Sequence, residues 1–305
     1  MTRYLILRTL LIAPTILGVS LVTFVLIHAA PGGPFEVAVS RLQRDPLLSA
    51  QNQLSPKIIA NLKNQYGFDK PIYERYCQWL LKILKLDLGE SELYQAPVTE
   101  VVLPRLQRSA MYALWSLPLC YLLAFLWSLI HVVTQSAILR GISSFSSALQ
   151  YCLPPLILAL ALKYVFVSSS FVLVIAGYVL SHLAMMVLLF RGSLMQQASA
   201  EYAKTARAKG LSEVQVIFRH TLRNAMIPIV TSLSYSVVAF FSGALFLEIV
   251  FEIDGLGMLS YKSALARDYN LTMGIVLVLS ILFVLSRWVS DLAYGVIDPR
   301  MTNAS

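Results

Sequence analysis

The chain has 305 residues, 57% hydrophobic and only 13% charged, with a mean hydropathy of +0.69. Soluble domains carry about 25% charged residues, so this composition excludes an ordinary soluble enzyme and points to a polytopic membrane protein. The net charge of +8 reads as a positive-inside bias rather than a nucleic-acid surface, and the three cysteines, Cys77, Cys120 and Cys152, show neither disulfide-framework nor zinc spacing.

A helix needs about 20 apolar residues to cross a hydrocarbon core about 30 Å thick, and six stretches qualify. The first, at about 9–30, follows Arg3 and Arg8 and stops at Pro31-Gly32-Gly33-Pro34; it is longer than the apolar core of a cleaved leader and reads as an uncleaved anchor. The second runs over about 110–133. The apolar block 142–190 is too long for one helix and divides near 163–170, where Lys163 can snorkel and Ser168-Ser169-Ser170 supplies a turn. This gives spans at about 142–162 and 171–190, the former kinked at Pro154-Pro155. The fifth span covers about 225–250 and the sixth about 271–297.

Orientation follows from Lys and Arg in short loops. With the N-terminus inside, the short inner segments 1–8, 134–141, 191–224 and 298–305 carry ten basic residues in 58 positions, against three in 28 for the short outer segments 163–170 and 251–270. Both termini are therefore expected in the cytoplasm. The long segment 31–109 is expected outside, since long segments cross largely regardless of charge.

Within 31–109, Ser55-Pro56 signals a helix start and Gly67 its stop, and Asp69-Lys70-Pro71 repeats the start signal. Apolar residues at 72, 76, 79, 80, 83 and 84 then give helical spacing with a wide apolar face. That face reads either as an interfacial or bundle-packed surface or as a docking surface for a soluble partner.

The inner segment 191–224 is the most informative. Residues 201–209 favour helix and Gly210 supplies a stop; Ser212 opens a second helix, with Gln215 placed for a capping box. Two short basic helices meeting at a glycine would present a rigid surface of small residues. The plainer reading is a positive-inside loop on anionic lipid.

The string Glu201–Gly210, continued by Leu211-Ser212-Glu213, Arg219-His220 and Leu222-Arg223-Asn224-Ala225, resembles the inner "EAA" loop of bacterial ABC importer permeases, in particular the dipeptide/oligopeptide/nickel branch. The expected Glu-Ala-Ala falls on Lys204-Thr205-Ala206, where only Ala206 and the later Gly210 match strictly. Other segments fit the same family: 30–34, Tyr66-Gly67-Phe68-Asp69-Lys70-Pro71-Ile72, Leu86-Asp87-Leu88-Gly89-Glu90-Ser91, Glu248, Phe251, Gly255-Leu256-Gly257, Arg267-Asp268-Tyr269, Ser290-Asp291 and 296–300. Gly32-Gly33-Pro34 and Ile297-Asp298-Pro299-Arg300 look most like the Yej-type oligopeptide and microcin C permeases of that branch. Asp254 stands where members often carry proline, and the 163–170 loop is shorter than usual.

The resemblance implies an all-α, six-span type I importer subunit in the bacterial inner membrane. It implies an N-terminal part over 1–95, a transporter domain over 96–298 and a tail over 299–305. Its partners would be a second permease, two ABC ATPase subunits and a periplasmic solute-binding protein, within the lipid bilayer and without nucleic acid. Glu201, Tyr202, Thr205, Ala206, Arg207, Ala208, Lys209 and Gly210 would contact the ATPase. Glu248, Gly255, Gly257 and Asp268 would face an outer vestibule or the receptor, with a helix-end surface carboxylate as the other reading of Glu248. No cofactor is expected in the chain itself. It holds no Gly-x-x-x-x-Gly-Lys-[Ser/Thr], so the partners would bind ATP, and no metalloprotease or Gly-x-Ser-x-Gly motif marks it as an enzyme.

Other single residues carry structural expectations. His28, His131 and His182 should make neutral hydrogen bonds between helices, and Arg287 should pair with Asp291 four residues on. Ser232, Ser234, Tyr235, Ser236 and Ser242 would pack helices or line a polar path. An ion-coupled carrier is the rival function, but spans one to four hold no mid-span carboxylate for a relay.

Overall fold

The computed structural model describes residues 2–29, 39, 70–134, 136–166, 170–242 and 245–297. In chain order the elements are α1 (Thr2–Leu10), α2 (Ile12–Ala29), α3 (Ile72–Leu84), β1 (Glu90–Ser91), β2 (Ala96–Pro97), α4 (Val98–Val133), α5 (Ala137–Cys152), α6 (Pro155–Phe166), α7 (Phe171–Ala198), α8 (Glu201–Ala208), α9 (Glu213–Val216), a π-turn at Ile217–Thr221, α10 (Leu222–Ser242), α11 (Leu245–Val250), α12 (Leu256–Ala266) and α13 (Tyr269–Ile297). The expected helix at 55–67, the Gly-Gly-Pro at 32–34 and the tail at 298–305 lie outside the described residues.

Among the described residues five stretches are long and apolar enough to cross a membrane, or six crossings if the bent pair α5–α6 counts as one. The chain divides into two compact units, one of residues 1–13, 107–258 and 281–305, the other of residues 14–106 and 259–280.

In the first unit α7 is buried along Val174, Tyr178, Leu183, Val187, Phe190 and Leu194, spaced three to five residues apart, which sets one stripe against its neighbours. In lipid, helices associate through small residues and interhelical hydrogen bonds rather than hydrophobic burial. Both are present. A Cβ on Gly177 would fall 2.8 Å from Leu247 Cδ2. Ser128 donates to the Val187 carbonyl at 3.0 Å, Trp127 to Ser143 at 3.0 Å and Gln150 to the Leu180 carbonyl at 2.7 Å. The Tyr121 hydroxyl lies 2.8 Å from both Ser232 and Ser236, and Ser234 meets Ser290 at 2.9 Å. These span-five serines join helices to one another.

Several boundaries differ from expectation. The helix that carries the second span begins twelve residues before the apolar stretch, at Val98, because Arg105 and Arg108 are good helix formers and do not stop it. The third span is broken rather than kinked: α5 and α6 meet at 98°. Pro154 forces Leu153 into extended backbone (ψ 119°), so two successive prolines end one helix and start another. Ser170 caps α7 by accepting from the Leu173 N–H, placing the fourth span's start as expected, but the helix continues to Ala198.

The side-chain expectations change too. His182 bonds the Tyr178 carbonyl of its own helix at 3.0 Å, and its contact with another helix is a stacked ring, Phe240, at 4.3 Å. His131 is buried, with Nδ1 unpartnered among the described residues, and the His28 side chain lies outside them. Asp291 pairs with Arg8 of α1 at 3.5 Å rather than with Arg287.

In the second unit α3 forms as its periodicity requires and packs Tyr76 and Trp79 on Phe24, at ring distances of 5.5 and 5.4 Å. The Tyr76 hydroxyl shares a 2.9 Å hydrogen bond with Ser20 and reaches the Leu17 carbonyl at 3.2 Å. Ile72, Tyr73, Leu81 and Leu84 of α3 stay exposed. The β1–β2 hairpin leads into α4, and Gly274 of α13 allows Val98 close, since a Cβ there would lie 2.6 Å from Val98 Cγ1.

Candidate functional site

The segment 198–221 folds as a closed elbow. Helix α8 ends in a Schellman arrangement: Gly210 donates to the Arg207 carbonyl at 2.8 Å and Leu211 to the Ala206 carbonyl at 3.4 Å, with Gly210 at φ +85°. A side chain at that φ is strained, which is why glycine stands there. Two residues on, Ser212 and Gln215 form the expected reciprocal capping box and start α9. Between the two motifs, Leu211 packs on a small core of Ala203, Ala206 and Val216, closing the hinge from both sides. Helix α9 then runs without a stop through the π-turn into α10, so the second helix of the elbow is the start of the fifth span rather than a separate piece.

Of the residues expected at the ATPase contact, Glu201, Tyr202, Thr205, Ala208, Lys209 and Gly210 are exposed, with Val214 and Phe218 beside them. Lys204 pairs with Glu201 at 2.8 Å, Thr205 bonds back to the Glu201 carbonyl, and Tyr202 donates to Gln197. Ala206 is buried inside the elbow, and Arg207 is engaged within it. Its Nε and Nη2 donate to the two carboxylate oxygens of Glu213 at 2.6 and 3.0 Å, and Nη1 donates to the Ala198 carbonyl at 2.8 Å. The bond to Glu213 raises the Arg207 pKa further above its ordinary value. Sequence reading did not single out Glu213, although its position six residues after Arg207 across a glycine turn was the available signal.

Three of the four residues expected to face an outer vestibule or receptor cluster in the first unit, inside the protein. Glu248 is fully buried, which corrects the surface-carboxylate reading. It accepts from Ser109 at 2.7 Å and from the Met258 N–H at 2.7 Å. Ser109 in turn accepts from the Leu256 N–H at 2.8 Å. Gly255 makes room: a Cβ there would fall 2.2 Å from Glu248 Oε1, and one on Gly257 would fall 3.0 Å from the Leu245 nitrogen. A buried carboxylate is stable only with such donors.

Asp268 belongs to the second unit and is also fully buried. It caps α13 by accepting from the Leu271 N–H at 3.1 Å, and it holds the hairpin through Ser91 at 2.6 Å and the Leu93 N–H at 3.0 Å. Ser109 and Ser91, the partners of these carboxylates, were not foreseen as site residues. Among the described residues no three His, Cys, Asp or Glu come together as a metal site.

Several apolar helices long enough to cross a membrane, with a capped elbow between two of them, mark a multi-pass membrane protein. The chain belongs to the family described as binding-protein-dependent transport system inner membrane component, whose model matches residues 116–303; the corresponding N-terminal model matches residues 1–99. It is therefore a multi-pass protein of the inner membrane. It is 26% identical to the inner membrane ABC transporter permease protein YejB of Escherichia coli O157:H7, over 99% of both chains. It is 28% identical to the peptidoglycan transport system permease protein YejB of Agrobacterium fabrum, over 99% of this chain and 98% of that one. It is likewise 28% identical to the oligopeptide transport system permease protein AppB of Bacillus subtilis, over 99% of both. These relatives are transport permeases, and the ion-coupled alternative finds no support among them.

Proposed function

We propose that the chain is the permease subunit of an ATP-driven importer, forming with a second permease the path by which peptides or peptide-like solutes cross the bacterial inner membrane. The observation that carries this reading is the end-to-end similarity to an ABC transporter permease and to permeases named for oligopeptide and peptidoglycan transport. In it both termini and the elbow lie in the cytoplasm, where the exposed face of α8 meets an ATPase subunit. ATP is bound by two such partners, and a periplasmic solute-binding protein delivers the cargo. Glu248, Gly255, Gly257 and Asp268 fix the shape of the outward-facing turns from within.

The test is reconstitution. The chain is co-purified with the ATPases and second permease of its source, placed in liposomes with the binding protein, and assayed with a mixture of labelled short peptides. Uptake that needs both ATP and the binding protein is the expected result. A chain that brings down no ATPase, or uptake that follows a proton gradient without ATP, would overturn the reading.

A further inference from the structure

We infer that Arg207 is a positioning residue that clamps the elbow, and that the Arg207–Glu213 fork transmits ATPase movement to spans four and five together. This deepens the function proposed above and rests on it. The geometry is specific. One guanidinium joins three consecutive pieces of chain: the last residue of α7 through the Ala198 carbonyl, α8 on which it sits, and the first residue of α9 through both oxygens of Glu213. The five N–H donors of an arginine lie in one rigid plane, so two bonds to Glu213 and one to Ala198 fix angle as well as distance.

Charge placement agrees with the clamp. The cation sits at the C-terminal ends of α7 and α8, and the anion sits at the N-terminus of α9, each where the helix dipole favours it. Among the described residues the apolar core of the elbow is small, Ala203, Ala206 and Val216 with Leu211 packed on it, and the fork adds angular stiffness to that contact. A side chain spent on three internal acceptors is not a free contact for a partner. The partner surface is the exposed face of Glu201, Tyr202, Thr205, Ala208 and Lys209.

The test is a double-mutant cycle on the reconstituted complex, reading solute moved per ATP hydrolysed. Arg207→Ala is expected to lower that ratio about tenfold. Glu213→Ala should reproduce most of the loss, and the double variant should be no worse than Arg207→Ala. ATPase co-purification should stay intact in all three. Arg207→Lys, which keeps the charge but not the fork, should fall between. In membranes, an endoproteinase that cuts after lysine should cleave at Lys204 or Lys209 about tenfold faster in both single variants, a reading that needs no transport.

Normal coupling in Glu213→Ala beside lost coupling in Arg207→Ala would mean that Arg207 touches the partner directly, and would overturn the clamp. So would additive losses, or unchanged cleavage. Failure of the wild-type complex to take up solute with ATP would instead overturn the transport reading and leave the cleavage result to judge the clamp.

Discussion

The Ser109 hydroxyl donates to Glu248 at 2.7 Å while accepting the Leu256 N–H at 2.8 Å, so one side chain of α4 ties the end of the fifth span to the turn that follows it. Ser109→Ala leaves a buried carboxylate and a buried amide each short of a partner, and should cost about 1–3 kcal/mol of stability. Gly255→Ala should cost more, because its methyl would collide with Glu248 Oε1 and Ser109 Oγ. Thermal unfolding of the detergent-solubilised chain measures both. A Gly255→Ala protein as stable as wild type would mean that the cluster is loosely packed.

Gly210 offers a cleaner experiment, because a Cβ there meets nothing within 4 Å. Any effect of substitution must come from the positive φ or from what docks outside. Gly210→Ala should cost about 1 kcal/mol through backbone strain. Asn and Asp both tolerate left-handed backbone and have the same shape. Gly210→Asn should therefore keep ATP-dependent uptake, and Gly210→Asp should reach the membrane yet hydrolyse ATP without transport. Equal uptake by the Asp and Asn variants would argue against a charge-sensitive partner at this face.

Asp268 holds two amides from different elements, Leu93 in the hairpin and Leu271 in α13. Asp268→Ala should raise hydrogen exchange at both together. Ser91→Ala should raise it chiefly near Leu93, because the cap of α13 remains. Exchange that rises at only one site in Asp268→Ala would separate the two roles.

The partner of Asp291 can be read from two single variants. Arg8→Ala should lower the melting temperature by a few degrees, equivalent to about 1–2 kcal/mol, because it leaves a nearly buried carboxylate without its cation. Arg287→Ala should leave it unchanged. The reverse order would restore the pairing expected from spacing alone.

Glu252 provides the pH test. Its hydrogen bond to the Lys163 ammonium at 2.9 Å, together with the opposite charge, holds the carboxyl below its ordinary range. A depressed carboxylate contributes stability above its unfolded pKa and loses it as pH falls through the folded value. The pair is open to solvent, so Glu252→Gln should lower melting only slightly at neutral pH, and that difference should vanish as pH falls through the carboxyl's range. Lys163→Ala should lower melting more, because it also removes the 2.6 Å bond to the Val250 carbonyl.

What could be read from the sequence was what local chemistry decides. The Gly210 stop, the Ser212–Gln215 box and the apolar face of α3 each follow from a few neighbouring residues, and each is present. What could not be read depends on residues far apart. Asp291 had a basic neighbour four positions away, yet it bonds one 283 positions away. Glu248 looked like a helix end near the surface because Ser109, its donor, is 139 residues distant. Arg207 looked free because the turn that returns Glu213 to it exists only once Gly210 has adopted its positive φ.

The break at Leu153–Pro154 bears on how the polypeptide enters the membrane. Helices of 16 and 12 residues extend about 24 and about 18 Å, each short of the lipid thickness, and the free carbonyls at their junction would face oil if the pair arrived alone. Part of the pair's support comes from sequence made later: Gln150 donates to the Leu180 carbonyl, which the ribosome has yet to synthesise when α5 and α6 emerge, whereas Trp127 of α4, already made, donates to Ser143. The bent pair is thus expected to settle fully only once α7 has emerged beside it.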